Sequence, residues 1–178
     1  MGGADKALIR LGGQTLLDRV VARFEPQVER LAVSARTAHP GFRVLTDAGA
    51  AGANLGPLAG VLAGVSWAAS QGADAVVTVP VDAPFVPGDL VARLVMAGNM
   101  GVAVAESGGR AHPTCAVWPV GVQAALAAFL ASGVKARVLD FAASQGAARA
   151  VFPDDGAFLN LNTPEDLALA EELLAGTA

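Results

Sequence analysis

The sequence is poor in cysteine, because Cys115 is the only one among its 178 residues. A single cysteine cannot close a disulfide within the chain, which is typical of proteins in a reducing compartment. The first residues also lack the basic start and apolar stretch of a secretory signal. A nucleophilic role for Cys115 is one interpretation, and packing as a small hydrophobic residue is the simpler one. We therefore expect a cytoplasmic protein.

Charge is equally scarce, since charged residues make up 16% of the chain and the net charge is −4. A general nucleic-acid binder would show a basic face, so this composition argues against that class. Lysine is especially rare and occurs only as Lys6 and Lys135. Hydrophobic residues amount to 53%, which excludes a disordered chain. The length suits one domain, residues 1–178, with a sizeable core.

The sequence also lacks a run of apolar residues long enough to cross a membrane. No charge occurs between Asp47 and Asp74, but Asn54, Gly56 and Pro57 interrupt the first half of that stretch. A membrane-spanning helix requires about 20 apolar residues. We therefore predict a buried core helix over residues 58–71 and no association with a membrane.

Short β-branched runs alternate along the chain with longer helical stripes. The predicted strands cover residues 30–35, 42–46, 74–79, 101–106, 111–118 and 148–152. The predicted helices cover residues 15–28, 58–71, 88–97, 120–130, 134–143 and 164–174. This alternation predicts a three-layer α/β domain with a mostly parallel sheet. The glycine pair at 108–109 predicts an antiparallel hairpin within that sheet.

The stretch from Thr78 to Pro87 carries the strongest functional signal. Residues 74–79 are rich in β-branched residues and almost wholly apolar, as expected for a central strand of a parallel sheet that is buried on both faces. Pro80 ends this strand, and Asp82 follows it directly. Open α/β sheets bind ligands beyond the carboxyl ends of such strands. Asp82 is therefore a candidate metal-binding or catalytic carboxylate, and a turn-capping aspartate is the alternative.

Further candidates lie in loops or follow other apolar runs, and each has a structural alternative. The alternatives are a frayed terminus for Lys6, a strand-end cap for Asp47, tight helix packing for Gly56 and Gly60, a half-buried strand position for His112, and turn or cap roles for Asn160 and Asn162. A carboxylate, amides and a lysine beside glycine loops suit Mg²⁺ and polyphosphate. Taken one at a time, these residues leave the alternatives open.

Taken together and in order, the motifs resemble those of the MobA-type molybdenum cofactor guanylyltransferases, within the superfamily of Mg²⁺-dependent nucleotidyltransferases. Residues 1–6 are similar to the end of the family signature L-A-G-G-x-S-x-R-M-G-x-x-K, and residues 55–60 match its G-P-L-A-G loop. Residues 79–87 match its P-C-D-x-P-F-[LI]-P segment. Two later motifs match at 112–118 and 158–166. The resemblance covers essentially the whole chain and implies a Rossmann-like nucleotidyltransferase fold.

The resemblance implies a GTP-binding role for five residues. Asp82 would bind Mg²⁺ and organise the GTP phosphates, and Lys6 would contact those phosphates. Gly56 would lie against the guanine. Asp47 and Ser34 would belong to the nucleotide pocket, and Ser34 stands where the family has a longer asparagine.

The resemblance also implies the second substrate and the reaction. Asn160 and Asn162 would lie where the metal and the pterin substrate meet, and Arg137 would contact the pterin phosphate. The implied reaction transfers GMP from GTP to the molybdopterin cofactor and releases pyrophosphate. Proteins of the molybdenum pathway or molybdoenzyme chaperones are the implied partners.

One departure from the family lies at Met1, which falls inside the first signature. In the family, a strand and the L-A-G-G part of the loop come before this position, and we expect both to be encoded upstream. Two other functions remain open. One is a cytidylyltransferase or another Mg²⁺-dependent nucleotidyltransferase, and the other is a non-catalytic relic of the fold that binds a partner of the molybdenum pathway.

Overall fold

The structure is a computed structural model that describes residues 5–35, 37–46, 56–133, 137–153 and 156–176. Strands and helices alternate along these residues. The strands are β1 (Arg10–Leu11), β2 (Gln14–Thr15), β3 (Val33–Ser34), β4 (Val44–Leu45), β5 (Ala75–Thr78), β6 (Ala103–Ser107), β7 (Arg110–Pro119) and β8 (Ala148–Phe152). The α-helices are α1 (Leu16–Phe24), α2 (Pro57–Ser70), α3 (Leu90–Gly98), α4 (Gln123–Ala131), α5 (Val138–Ser144) and α6 (Pro164–Ala175).

The largest sheet has the strand order β5-β7-β6-β8. Strand β7 runs antiparallel to both β5 and β6, whereas β8 runs parallel to β6. Strands β3 and β4 form a separate parallel pair, and β1 and β2 a short antiparallel one. The predicted α/β class is therefore confirmed, with a sheet that is more mixed in the described residues than the alternation of elements suggests.

The predicted hairpin is confirmed and joins β6 to β7. Ser107 and Arg110 are opposite each other in the register, with Gly108 and Gly109 between them. These glycines have φ of 55° and 74°, left-handed values that two-residue hairpin turns require and that glycine adopts without strain.

The strand before Asp82 differs from its prediction. Strand β5 pairs antiparallel with β7, and its four residues are only half-buried. Within the described part of the chain, no strand pairs with its other edge. That edge borders a cavity of about 1120 Å³, which β3 and β4 also line. In the described residues β5 is therefore a half-buried edge strand, which differs from the prediction of a central strand buried on both faces, because only β7 pairs with it.

Helices cover both faces of the four-stranded sheet, which gives the predicted three layers. Along β6, Val104 packs with α2, α4 and α5 on one face, while its neighbours Ala103 and Ala105 pack with α3 on the other. This alternation follows from the two-residue period of a strand. Helix α2 is buried along much of its length, as predicted. No helix in the described residues is long and apolar enough to span a membrane.

Helix α1 begins at a side-chain cap and ends earlier than predicted. Thr15 caps α1 by accepting a hydrogen bond from the Asp18 N–H at 3.1 Å. Helix α1 ends at Phe24, earlier than the predicted limit near residue 28, and a 3₁₀ turn that contains Pro26 follows it. Proline lacks the N–H that an α-helix needs, which explains the early end.

Candidate active site

Three of the predicted site residues meet beyond the end of β5. Lys6 Nζ lies 2.8 Å from Asp82 Oδ2 and 2.5 Å from Asn162 Oδ1. The Asp82 and Lys6 side chains are 18% and 34% exposed, so a ligand can reach both. A partly exposed ion pair of this kind adds little to stability. The Lys6 ammonium is therefore able to exchange the carboxylate for an anionic ligand at small cost.

The backbone fixes the segment that carries the two asparagines beside Asp82. The Leu161 N–H donates to the Asp82 carbonyl oxygen at 2.8 Å. The Leu161 side chain is buried in a small cluster with Leu11 and Leu16. Because Leu161 is anchored at both its backbone and its side chain, Asn160 and Asn162 are held on either side of it, next to the carboxylate.

Asp166 holds Asn162 in turn. Its Oδ2 accepts hydrogen bonds from the N–H groups of Asn162 and Thr163, each at 2.9 Å, and the Thr163 hydroxyl accepts one from the Asp166 N–H. This is a capping box at the start of α6. The two bonds from backbone N–H groups lower the pKa of Asp166 below its ordinary value. In the sequence analysis Asp166 is only the last residue of the motif at 158–166, and its link through Asn162 to Lys6 was missed.

Two further residues that the sequence analysis missed hold Lys6. Asp5 caps the 3₁₀ turn Lys6–Leu8 by accepting a hydrogen bond from the Ala7 N–H at 3.0 Å. The other oxygen of this carboxylate lies 3.5 Å from Nε2 of His39, which is buried. The pairing joins the loop between β3 and β4 to the lysine turn. No pattern in the sequence pairs Asp5 with His39, because the contact depends on the fold.

The large cavity brings most of the predicted site residues to one space. Ser34, Gly56, Asp82, Asn160 and Asn162 all line it. Of the other predicted residues, Lys6 does not line the cavity but contacts Asp82 and Asn162, which do. Asp47 lies outside the described residues, and Arg137 is exposed at the start of α5, where its neighbour at 138 lines the cavity and Arg137 itself does not.

Gly56 forms the N-terminal cap of α2, with φ 67° and ψ −164°. Backbone of this shape is almost restricted to glycine. A Cβ at Gly56 would meet no atom of the described residues within 4 Å, so crowding among them does not explain the glycine, whereas its backbone conformation does. Because Gly56 and Pro57 line the cavity, the positive end of a 14-residue helix lies at this space, where it favours an anion.

The residues present fit magnesium that is bound together with a nucleotide. The described residues contain no cluster of three or more His, Cys, Asp or Glu side chains that would form a metal cage. Magnesium is usually held by one or two carboxylates, with substrate phosphates and waters completing its shell. The accessible Asp82 carboxylate meets that requirement, and amide oxygens of Asn160 and Asn162 line the same space.

Cys115 is not a nucleophile at this site. It is buried, and burial raises its pKa to about 12, with the nearby Asp82 charge as the smaller cause. A thiol with this pKa is protonated at neutral pH, whereas attack requires the thiolate. The prediction that Cys115 packs as a small hydrophobic residue is confirmed.

His112 lies on β7, and its half-buried position agrees with the structural alternative given for it. Its ring stacks on Phe158, with centroids 4.5 Å apart. Its Nε2 lies 2.9 Å from the Ser107 hydroxyl. His112 is therefore fixed in orientation, on the other side of Asn160 from the main cavity.

Comparison with known proteins identifies the family to which this chain is similar. Residues 1–149 match the family model described as the MobA-like NTP transferase domain. A protein of Cereibacter sphaeroides named molybdenum cofactor guanylyltransferase is 59% identical over 179 residues, which cover 98% of this chain and 90% of that protein.

Solved structures agree on the fold. The molybdopterin-guanine dinucleotide biosynthesis protein A of Archaeoglobus fulgidus superposes with a TM-score of 0.69 at 22% identity, over 98% of this chain and 92% of the other. The 2-C-methyl-D-erythritol 4-phosphate cytidylyltransferase of Thermus thermophilus gives a TM-score of 0.70 at 24% identity, over 96% and 94% of the two chains. These likenesses confirm the predicted Rossmann-like fold.

Proposed function

The chain belongs to the MobA-like NTP transferase family, and we propose that it transfers GMP from GTP to the molybdenum–molybdopterin cofactor. The products are the guanine dinucleotide form of the cofactor and pyrophosphate. The observation that carries the proposal is the contact of Lys6 with both Asp82 and Asn162 at one cavity. The 59% identity with a relative named for this activity supports the choice of substrates.

We assign the nucleotide to the part of the cavity lined by Asp82, Asn162 and the start of α2, where Lys6 makes its contacts. Lys6 would exchange its contact with Asp82 for the triphosphate, whose charge it offsets. The backbone at Gly56 allows a planar base to approach closely, because glycine has no side chain of its own. Ser34 and Asp47 complete the proposed nucleotide pocket, with Ser34 on the cavity wall.

Asp82 is the residue that would hold Mg²⁺ in this proposal. When bound, the ion neutralises charge on the phosphates, which is the main requirement of phosphoryl transfer. The side chains do the rest by positioning: Asn160 and Asn162 would contact the acceptor, and the Asp166 capping box keeps Asn162 in place. Arg137 is assigned to the acceptor by its motif position alone, since it does not line the cavity. The chain needs no nucleophile of its own, because the acceptor's phosphate attacks.

We further propose that the reaction takes place in the cytoplasm, with proteins of the molybdenum pathway or molybdoenzyme chaperones as partners. The single buried cysteine supports a reducing compartment. Both substrates are small anionic molecules, so recognition requires only local positive charge, which agrees with a net charge of −4.

The experiment is a transfer assay with purified protein, Mg²⁺, molybdenum cofactor and either GTP or CTP. We expect pyrophosphate release with GTP and a product with the mass of the guanine dinucleotide. A cytosine product alone would favour the cytidylyltransferase alternative. A folded protein that makes neither product, under conditions where a relative is active, would favour the non-catalytic alternative.

A further inference from the structure

A second cavity, of about 60 Å³, lies at the hairpin of β6 and β7. We call it the hairpin pocket, and its polar lining residues are Arg110, His112, Thr114 and Asn160. Thr114 and Asn160 also line the large cavity, so the two spaces adjoin. Ala83, the residue after Asp82, forms part of the wall. The hairpin pocket therefore lies beside the proposed metal carboxylate.

The volume of the hairpin pocket limits what it can hold. A single water needs about 10–15 Å³ by the same kind of measure, so the pocket takes a group of a few heavy atoms. A phosphate group is of that size. A guanine base or a complete pterin is too large, so the pocket can receive only one end of such a substrate.

The lining of the pocket favours an anion. Arg110 brings a permanent positive charge, and Thr114 and Asn160 bring hydroxyl and amide donors. None of the residues found to line the pocket is Asp or Glu. Cys115 also lines it, and with a pKa raised to about 12 by burial its thiol stays uncharged and does not repel an anion.

His112 is held in place before any ligand arrives. The Ser107 hydroxyl, 2.9 Å from Nε2, fixes the rotation of the ring, and Ser107 is itself buried. On its face, the ring stacks against Phe158, with the planes 16° apart. Phe158 is in turn packed edge-on against Phe152, with centroids 5.1 Å apart. A polar ring supported on two sides is typical of a preorganised binding site.

We infer that the hairpin pocket binds the terminal phosphate of the acceptor, a phosphate monoester, with Arg110 and His112 as binding residues and Ser107 as a positioning residue for His112. This inference rests on the proposed function and adds the place of the second substrate. It puts the acceptor on the Ala83 side of Asp82 and leaves the Lys6 side to GTP. The resemblance assigned no role to Arg110 or His112, although His112 was a candidate in the sequence analysis and begins one of the matched motifs.

The chemistry of the step is balanced without a catalytic base. An oxygen of the acceptor's phosphate forms a bond to the α-phosphorus of GTP. The bond from that phosphorus to the oxygen bridging to the β-phosphate breaks, and pyrophosphate leaves with the electron pair. Because the second pKa of a phosphate monoester is about 6, the attacking oxygen is already deprotonated at neutral pH. The pocket needs only to hold and orient it.

The test compares Arg110→Ala and His112→Gln with the wild type in the transfer assay. We expect the KM for molybdenum cofactor to rise about tenfold to hundredfold, as for the loss of a hydrogen bond to a charged group. The KM for GTP should stay within about twofold, because the nucleotide is bound elsewhere. Ser107→Ala should raise the acceptor KM by a smaller factor through misplacement of His112. A purely structural fault would change both KM values.

Arg149→Ala is the matched control. Arg149 is an exposed arginine on β8 that pairs with Glu106 at 3.8 Å and lines neither cavity. The substitution removes one positive charge near the hairpin. It therefore shows whether an effect on the acceptor KM comes from a lost contact in the pocket or from the change in charge. An acceptor KM that rises as much in Arg149→Ala as in Arg110→Ala would overturn the inference. Acceptor KM values equal to that of the wild type in both Arg110→Ala and His112→Gln would overturn it as well.

A binding measurement keeps the inference separate from the proposed function. Glycerol phosphate, a simple phosphate monoester, should bind the wild-type protein in calorimetry and lose that binding in Arg110→Ala. If the wild type binds it through Arg110 but transfers no GMP, the proposed function is wrong and the anion pocket stands. Equal binding by both proteins would refute the pocket. Arg110→Lys, which keeps the charge but loses the planar fork, serves if the alanine variant does not fold.

Discussion

The two sides of β5 are built in different ways. On the side of β7, the four-stranded sheet is covered on both faces, and side chains such as Trp118 and Leu94 are fully buried. On the other side, β3 and β4 are two-residue strands whose side chains are half-buried or exposed. A large cavity lies between β5 and this short pair. The packed side holds β5 in place, and the cavity on the other side is where we propose that the nucleotide binds.

The candidate site lies on the border between these two sides. Asp82 follows the last residues of β5, and Asn162 is anchored beside it by the bond from Leu161 to the Asp82 carbonyl. Lys6 reaches the border from the start of the described chain. Groups that must hold a fixed geometry are thus attached to the packed side, while their polar ends face the cavity. If this division is correct, substitutions on the two sides should affect different properties.

The largest effect is expected from Asp82→Ala. We predict a loss of Mg²⁺-dependent turnover of about a thousandfold or more, because the only proposed metal ligand on the chain disappears and several kcal/mol of charge stabilisation are lost with it. The melting temperature should change little, since the Lys6–Asp82 pair is partly exposed. Pyrophosphate release and circular dichroism provide the two measurements.

Asp89→Asn is the control for Asp82→Ala. Asp89 is an exposed carboxylate close by in the chain, and it pairs with Arg93. Turnover should remain near the wild-type rate in this variant. Near-normal turnover by a folded Asp82→Ala protein would show that Asp82 is only a turn residue.

The second prediction measures stability on each side of β5. Phe141→Ala removes a ring buried against Trp118 and Phe129, and we expect the free energy of unfolding to fall by about 3–5 kcal/mol. Val33→Ala on the open side removes two half-buried methyl groups and should lower it by about 1 kcal/mol. Urea unfolding gives both values.

The proposed difference between the two sides of β5 would be contradicted if Val33→Ala lowered the free energy of unfolding more than Phe141→Ala. A Val33→Ala loss as large as that of Phe141→Ala would mean that β3 is part of the main core, so that the open side is not open in solution. The KM for GTP offers a second check, since Val33 lines the cavity and Phe141 does not. Only the Val33 variant should change it.

How much the sequence predicts also differs between the two sides. The hairpin, the strand at 148–152 and the buried helix at 58–71 were predicted from local signals, and all are present, the helix as Pro57–Ser70. The strands predicted at 30–35 and 42–46 shrink to two residues each. Local propensity was sufficient where packing encloses the element, and it failed where pairing depends on what fills the neighbouring space.

Contacts within the site were the least predictable from the residues. Lys6 and Asn162 are 156 positions apart, so only the motif order of the family suggested that they meet. No motif of the family indicated the contact of His39 with Asp5 or that of Ser107 with His112. Their side chains are common in loops and hairpins, and which partner each finds is decided by tertiary packing.

The third prediction concerns the choice of base on the open side. If the space beside Gly56 receives guanine, GTP should raise the melting temperature more than CTP at equal Mg²⁺. A ligand at 100 times its Kd adds about 2.7 kcal/mol to stability by linkage, so a tenfold preference gives a difference of about 1.4 kcal/mol. Differential scanning fluorimetry over a range of nucleotide concentrations measures it. Equal shifts, or a larger one with CTP, would contradict guanine selection.

The smallest effect is expected at Asp166, where the packed and open sides are joined. Hydrogen bonds from the N–H groups of Asn162 and Thr163 favour the charged carboxylate, so its pKa in the folded protein lies below the ordinary value of 3.8. A carboxyl whose pKa is lowered by folding stabilises the protein above the unfolded pKa, and this contribution is lost as the pH falls through the folded pKa. Asp166→Asn should therefore lower the melting temperature slightly at neutral pH, and the difference from the wild type should shrink as the pH falls below 3.8 and disappear below the still lower folded pKa. Glu165→Gln is the matched control, because Glu165 is an exposed acid in the same first turn of α6.

At neutral pH, Asp166→Asn should also raise the acceptor KM, since the turn that carries Asn162 loosens, whereas Glu165→Gln should not. A difference in melting temperature that persists unchanged at low pH would show that Asp166 stabilises the turn without its charge, and the link from α6 to the lysine site would then rest on packing alone.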